Sequence, residues 1–185
     1  SAGIDGAMKI WSLRADRYIG GFQLSSGPVW SVAAVGPNKF AAGSIDGRVR
    51  VIDLKKADLT ALTGHRGSVW QLQCTDGGRF ASGSADGSVI LWSAELKRPL
   101  KYLEGHTASV DSLAYLSEGL LLSGSFDRTA IIWDLRAARS KSCKQVRRNT
   151  LRGHQGFVRS CIAYKNLVAT SSNDRGKRRR TIPRA

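Results

Sequence analysis

The chain has 185 residues, of which 42% are apolar and 23% charged. That is ordinary globular usage, with length enough for one domain, or one and a half, around a real core. No apolar run approaches the ~18 residues of a membrane helix, and the opening Ser1-Ala2-Gly3-Ile4-Asp5 has neither the basic nor the apolar stretch of a secretory signal. The net charge of +15 divides unevenly: residues 1–135 sum to +1 and residues 136–185 to +14. The body therefore lacks the domain-wide basic footprint of a nucleic-acid binder. Cys74, Cys143 and Cys161 are odd in number and form no CxxC pair. No disulfide framework or zinc site is expected, and an intracellular setting, cytoplasmic or nuclear, fits. The start without Met gives the expectation of a sequence begun partway through a longer chain.

In chain order, one motif recurs. Asp5, Asp46, Asp86, Asp127 and Asp174 follow one another at 41, 40, 41 and 47 residues. Each ends a small-residue step (SAGID, AAGSID, ASGSAD, LSGSFD, TSSND), and six residues later stand Trp11, Ile52, Trp92, Trp133 and Arg180. All three histidines lie in Gly-His pairs, at His65, His106 and His154, about 20 residues before an Asp. A fixed period near 41 residues is the mark of a repeat architecture. Between these marks the runs are short, β-branched or aromatic, and broken by Gly and Asp, as in Val69–Cys74, Arg79–Ser84, Ser88–Ser93 and Pro99–Leu103. Asp5-Gly6, Asp46-Gly47 and Asp86-Gly87 are hairpin signals. No useful window has helical periodicity. The unit is four short antiparallel strands, and the fold class is all-β.

These residues resemble the WD40 repeat family of β-propellers, whose signature is a Gly-His, about four strands and a closing Trp-Asp. The best agreement runs from Gly64 to Ser93 and from Gly105 to Asp134, the second closing on Trp133-Asp134. The resemblance covers residues 1–174, the expected repeat domain, and leaves 175–185 as a basic tail. It implies strands c and d of a first blade at about 7–24, complete blades at 29–62, 69–103 and 110–152, and strands a and b of another at 158–172. That is an incomplete ring of about four to five blades. The chain is then a fragment or truncated product, the favoured reading, or its terminal half-blades join into a four-bladed ring. Unpaired strand edges in an open ring imply poor solubility or oligomerisation.

The resemblance also implies a hydrogen-bonded tetrad in each blade: His65, Ser82, Asp86 and Trp92 in one, His106, Ser123, Asp127 and Trp133 in the next. The blade around Asp46 has Leu24-Ser25 for Gly-His, Ala42 for Ser and Ile52 for Trp, and is expected to pack without the polar network. The last blade keeps His154 and Thr170 but runs into Arg175-Gly176-Lys177-Arg178-Arg179-Arg180. That tail reads as an artefact replacing the third strand, as a nuclear-import or nucleic-acid segment, or as a terminus without a role. The basic stretch 136–148 reads as a solvated loop.

No catalytic constellation, phosphate-cradling loop, metal spacing or cofactor motif is found. Each His is taken by the repeat, and Gly83-Ser84-Ala85-Asp86-Gly87 recurs as Gly43-Ser44-Ile45-Asp46-Gly47, a hairpin rather than a nucleophile elbow. What remains is a surface. In the WD40 family, ligands meet the face around the central channel, reached by the residue after the Val of strand a and the residue before the hairpin Asp. Here these are Trp30, Trp70, Asp111 and Arg159, and Ile4, Ile45, Ala85, Phe126 and Asn173. Trp30, Ile45, Trp70, Asp111, Phe126 and Arg159 form the candidate partner-binding face, its aromatics and Arg being typical hot-spot types. The competing reading has Trp30 and Trp70 packed against the neighbouring blade. The blades are also similar to F-box/WD40 ubiquitin-ligase adaptors, which read phosphorylated peptides with several Arg; only Arg159 matches such a position. The function implied is a non-catalytic protein-interaction scaffold with no cofactor and no membrane contact. The alternatives are a nucleic-acid-associated protein using 136–148 and the tail, or a substrate-recognition subunit of a ubiquitin ligase.

Overall fold

A computed structural model describes residues 1–116, 119–136, 147–164 and 167–173. The period-2 runs become strands. β1 (Ala7–Ser12) and β2 (Arg17–Gln23) form a two-stranded sheet. Three four-stranded meanders follow: β3 (Val29–Gly36), β4 (Lys39–Ser44), β5 (Val49–Asp53) and β6 (Asp58–Leu62); β7 (Val69–Cys74), β8 (Arg79–Ser84), β9 (Val89–Ser93) and β10 (Arg98–Leu103); β11 (Val110–Leu116), β12 (Leu120–Ser125), β13 (Ala130–Asp134) and β14 (Arg147–Leu151). β15 (Val158–Tyr164) and β16 (Leu167–Ser172) form a last pair. Every pairing is antiparallel between neighbours in sequence, so this is the all-β, blade-by-blade architecture the repeat dictates. The two half-blades remain separate sheets. Of the two arrangements weighed from the sequence, joining them within one chain is not the one found. The basic segment survives in the description only at its ends, Arg136 and Arg147-Arg148; residues 137–146 and the tail from Asp174 lie outside the described residues.

Neither face of a four-stranded sheet is covered by its own strands, so the blades must stack, and the small-residue step sets how closely. Gly43, Gly83 and Gly124 stand one residue before the last of their strands. A Cβ on them would lie 2.6, 2.9 and 2.7 Å from the first Val of the next blade, Val69, Val110 and Val158. Those three valines are fully buried. Beside each contact runs a side-chain pin: the Ser31 hydroxyl accepts the Leu72 N–H at 3.0 Å, Gln71 Oε1 accepts the Leu113 N–H at 2.9 Å, and the Ser112 hydroxyl accepts the Cys161 N–H at 2.8 Å. Apolar side chains fill the interfaces, as where Val89, Leu91 and Leu103 meet Val110, Leu113 and Leu121, and polar contacts such as Lys97 with Asp58 and Tyr115 with Asp76 cross them nearer the surface.

The hairpin before each third strand repeats too. Gly47 and Gly87 sit at φ 76° and 81°, and Arg128 holds the same place at φ 69°. A side chain is strained there and glycine is not. Arg128→Gly is therefore expected to raise stability by about 0.5–1 kcal/mol. Gly83→Ala, which drives a methyl into Val110, should lower it by ~1–3 kcal/mol. Urea unfolding midpoints of the two variants should move in opposite directions.

Candidate functional site

Two blades hold a complete polar network. In the first, the Trp92 indole N–H donates to the Ser82 hydroxyl at 2.7 Å, and that hydroxyl lies 2.6 Å from His65 Nε2. His65 Nδ1 lies 3.2 Å from Asp86 Oδ2 and 2.9 Å from the Ser88 hydroxyl. The proton assignment follows from the donors. An ionised carboxylate only accepts, so Nδ1 carries the proton; Nε2 then accepts from Ser82, whose oxygen is left to take the indole proton. Asp86 also accepts the backbone N–H groups of Arg66 at 2.7 Å and Ser88 at 2.9 Å, and the Ser88 hydroxyl at 2.7 Å. In the second blade Trp133 Nε1 donates to Ser123 at 2.8 Å, Ser123 meets His106 Nε2 at 2.8 Å, and His106 Nδ1 meets Asp127 at 2.7 Å. Thr129 there replaces Ser88. Both imidazoles are enclosed and both indoles buried. Every polar atom of these networks is engaged in holding a strand, so they offer no group to a substrate.

The blade of β3–β6 differs from its expectation. It does contain a polar network, built from another residue. Arg50 occupies the third-strand place of Ile90 and Ile131, paired with Ala42 as those pair with Ser82 and Ser123. Its buried guanidinium donates to Asp46 Oδ2 at 2.6 Å and Oδ1 at 3.2 Å, and to the Ser44 hydroxyl at 2.8 Å. Ser44 in turn donates to Asp46. Once His, Ser and Trp are replaced by Ser25, Ala42 and Ile52, the Asp has lost its imidazole partner, and the planar fork of Arg is the side chain able to satisfy both oxygens from below. In the last half-blade His154 Nε2 meets Thr170 Oγ1 at 2.7 Å; Asp174 lies outside the described residues.

Burial lowers the His65 pKa against the opposing pull of Asp86. Burial alone would raise Asp86, Asp127 and Asp46. The bonds from Ser88, from Thr129 and His106, and from Arg50 outweigh it and hold all three carboxylates below the usual range. Burial pushes the Cys161 thiol up to about 11, which keeps it protonated and a poor nucleophile. Among the described residues no three His, Cys, Asp or Glu side chains gather to hold a metal.

The face at the start of each first strand is built by a β-bulge. The register slips between Val29 and Ser31, Val69 and Gln71, Val110 and Ser112, and Val158 and Ser160. The residues set out of the ladder are Trp30, Trp70, Asp111 and Arg159. A bulge bends the strand and re-aims its extra side chain. Trp30 and Trp70 lie across a blade junction with ring centroids 5.4 Å apart at 46°. They pack on each other, yet Trp30 stays 42% exposed, and Trp70 keeps a buried indole N–H with no partner among the described residues. At another junction Phe126 stacks on Phe157 at 4.4 Å and 7°, with the Arg159 guanidinium 5.4 Å from the Phe126 ring centre. Ile45 is exposed, and Asp111 accepts from the Ser109 hydroxyl at 2.8 Å. Sequence reasoning missed Phe157 and Arg50. Phe157 occupies the place of Pro28, Ser68 and Ser109, so its aromatic character departs from the repeat rather than following it.

Stacked four-stranded meanders with a His–Ser–Asp–Trp network define a propeller-type repeat protein. The WD40 description, "WD domain, G-beta repeat", matches residues 57–93 and 97–134. Two successive repeats of the chain are thus WD40 repeats. No curated protein matches it in sequence. WD40 repeats generally serve as protein-interaction scaffolds and generally not as catalysts.

The lowered pKa values set the acid response. Folded His65 resists protonation, so its contribution is whole above about pH 6.5, its ordinary value, and is lost as pH falls below it. Asp46, Asp86 and Asp127 contribute above about 3.8 and lose that contribution as pH drops further. Urea midpoints should therefore decline in two stages on acidification. His65→Gln should flatten the first stage and leave the second.

Proposed function

We propose that the chain is a non-catalytic protein-binding scaffold whose ligand, a protein or peptide, docks on the bulged face carrying Trp30, Ile45, Trp70, Phe126, Phe157 and Arg159. The observation that carries this reading is the pair of aromatic contacts that bridge blade junctions there while Trp30 and Phe157 remain open to solvent. Rigid aromatics with an Arg beside them lose little entropy on binding and are the side chains on which interfaces concentrate their energy. Only one Arg of the face matches the phosphopeptide-reading pattern, which favours an apolar or aromatic ligand segment over a phosphorylated one. The polar networks support the absence of catalysis, since each His serves a strand. The nucleic-acid reading draws on the basic residues of 136–148 and the tail, almost all outside the described residues, and no observed feature favours it.

The test is selection of peptides from a displayed library on the folded chain, followed by titration of the selected peptide against tryptophan fluorescence. Trp30→Ala with Phe126→Ala should weaken binding by at least tenfold, about 1.4 kcal/mol, and leave the melting temperature within a few degrees. Unchanged affinity would place the ligand elsewhere.

A further inference from the structure

The five indoles of the chain divide by what receives their N–H. Trp92 and Trp133 donate to Ser82 and Ser123 at 2.7 and 2.8 Å, and Trp11 donates to the Ser1 hydroxyl at 3.3 Å. Trp30 and Trp70 donate to no acceptor among the described residues. The Trp70 N–H is enclosed, whereas Trp30 is 42% exposed. These two are the indoles of the bulged face, in contact with each other at 5.4 Å. Both belong to complete four-stranded sheets, each packed between two others.

The acceptors around them are already used. The Pro28 carbonyl takes the Ile45 N–H at 3.0 Å, and the Ser68 carbonyl takes the Ala85 N–H at 2.9 Å. The Ile45 carbonyl takes the Ser68 hydroxyl at 3.2 Å, and the Gly67 carbonyl takes the Ser84 hydroxyl at 3.0 Å. The carboxylates that follow Ile45 and Ala85 are bound within their own blades, Asp46 to Arg50 and Asp86 to His65. Ile45 and Ala85 themselves are exposed. Trp30, Ile45, Trp70 and Ala85 thus form an uncharged, aromatic patch that has donors to give and whose nearby acceptors are closed.

That chemistry selects among peptide backbones. An extended strand brings an N–H for every carbonyl, and an N–H buried on this patch would go unpaired, at the cost of a lost hydrogen bond. The bulges also interrupt the first-strand ladder at Trp30 and Trp70. A helix spends its carbonyls on its own N–H groups and would leave the indoles as they are. A polyproline II segment has no internal hydrogen bonds, so its carbonyls are open, and proline has no N–H to satisfy.

We propose, resting on the reading of the bulged face as the ligand site, that its ligand is a proline-rich segment in the polyproline II conformation. Proline rings lie on the Trp30 and Trp70 rings across the seam of the β3 and β7 sheets, beside Ile45, and a ligand carbonyl accepts the Trp30 indole N–H. Trp30 acts through both its ring and its donor, and Trp70 is the second platform. A segment already held in this conformation loses little entropy on docking.

The test is proton–nitrogen correlation of the full chain labelled at its indoles, with the Trp30 and Trp70 signals assigned by their loss in Trp30→Phe and Trp70→Phe. Titration with decaproline should move the Trp30 indole proton downfield and shift the Trp70 signal, leaving the two serine-bound indoles of the blade cores in place. A Gly-Ser peptide of equal length should move none. Trp30→Phe, which keeps a ring and removes the donor, should weaken decaproline by about fivefold, and Trp30→Ala by more; undisturbed core indoles report that each variant is folded. A Trp30 signal unmoved at millimolar decaproline, equal movement with the Gly-Ser peptide, or full affinity in Trp30→Phe would each overturn the inference. Displayed peptides that lack proline yet lose binding in Trp30→Ala with Phe126→Ala would also overturn it, while leaving the ligand site itself standing.

Discussion

The serine hydroxyls at positions 82 and 123 join two requirements that would otherwise conflict. A buried indole N–H must find an acceptor for its hydrogen bond, and a buried neutral imidazole must find a donor for its bare nitrogen. One hydroxyl meets both needs at once, accepting from Trp and donating to His. The opposite imidazole nitrogen then reaches a carboxylate that also collects backbone N–H groups of the hairpin. The loop before the first strand, the second strand, the hairpin and the third strand are tied through one line of hydrogen bonds. A carboxylate in this position is stable only because several donors converge on it.

The β3–β6 blade shows that the constraint is the Asp and its hairpin rather than the particular partner. With imidazole, hydroxyl and indole all gone, Arg50 extends from the neighbouring strand and covers both carboxylate oxygens. Its stem fills the place of an isoleucine, and Ile52 fills that of the indole with full burial. The same fold is reached with an Arg–Asp pair in place of a relay through a neutral imidazole.

Much of this architecture was legible in advance because the repeat reports it several times over. Strand number, hairpin positions and the grouping of His65, Ser82, Asp86 and Trp92 all follow from a period that places like residues at like sites. The bulged face was legible for the same reason, since Trp30, Trp70, Asp111 and Arg159 share one place in the repeat. Features that occur once were not. Arg50 reads in sequence as an ordinary polar residue of a strand, and nothing local announces that it turns inward to Asp46. Phe157 breaks the small-residue rule of its position. The inter-blade pins escaped because Ser31, Gln71 and Ser112 read as ordinary polar residues of a strand, and only the stacked fold shows that each accepts from a backbone one blade away.

Among those pins Gln71 is unlike the others. Its amide both accepts the Leu113 N–H and donates to the Leu113 carbonyl at 3.2 Å, where each serine only accepts. In a stack whose units touch just their neighbours, the total strength is shared out junction by junction. At the seam between the β7 and β11 sheets one side chain therefore holds both backbone groups of one residue, whereas the seam between the β3 and β7 sheets spreads its bonds over Ser31 with Leu72, Ser68 with Ile45 and Lys97 with Asp58. The grip on the backbone at the one seam is concentrated in a single amide, while at its neighbour it is shared among several side chains.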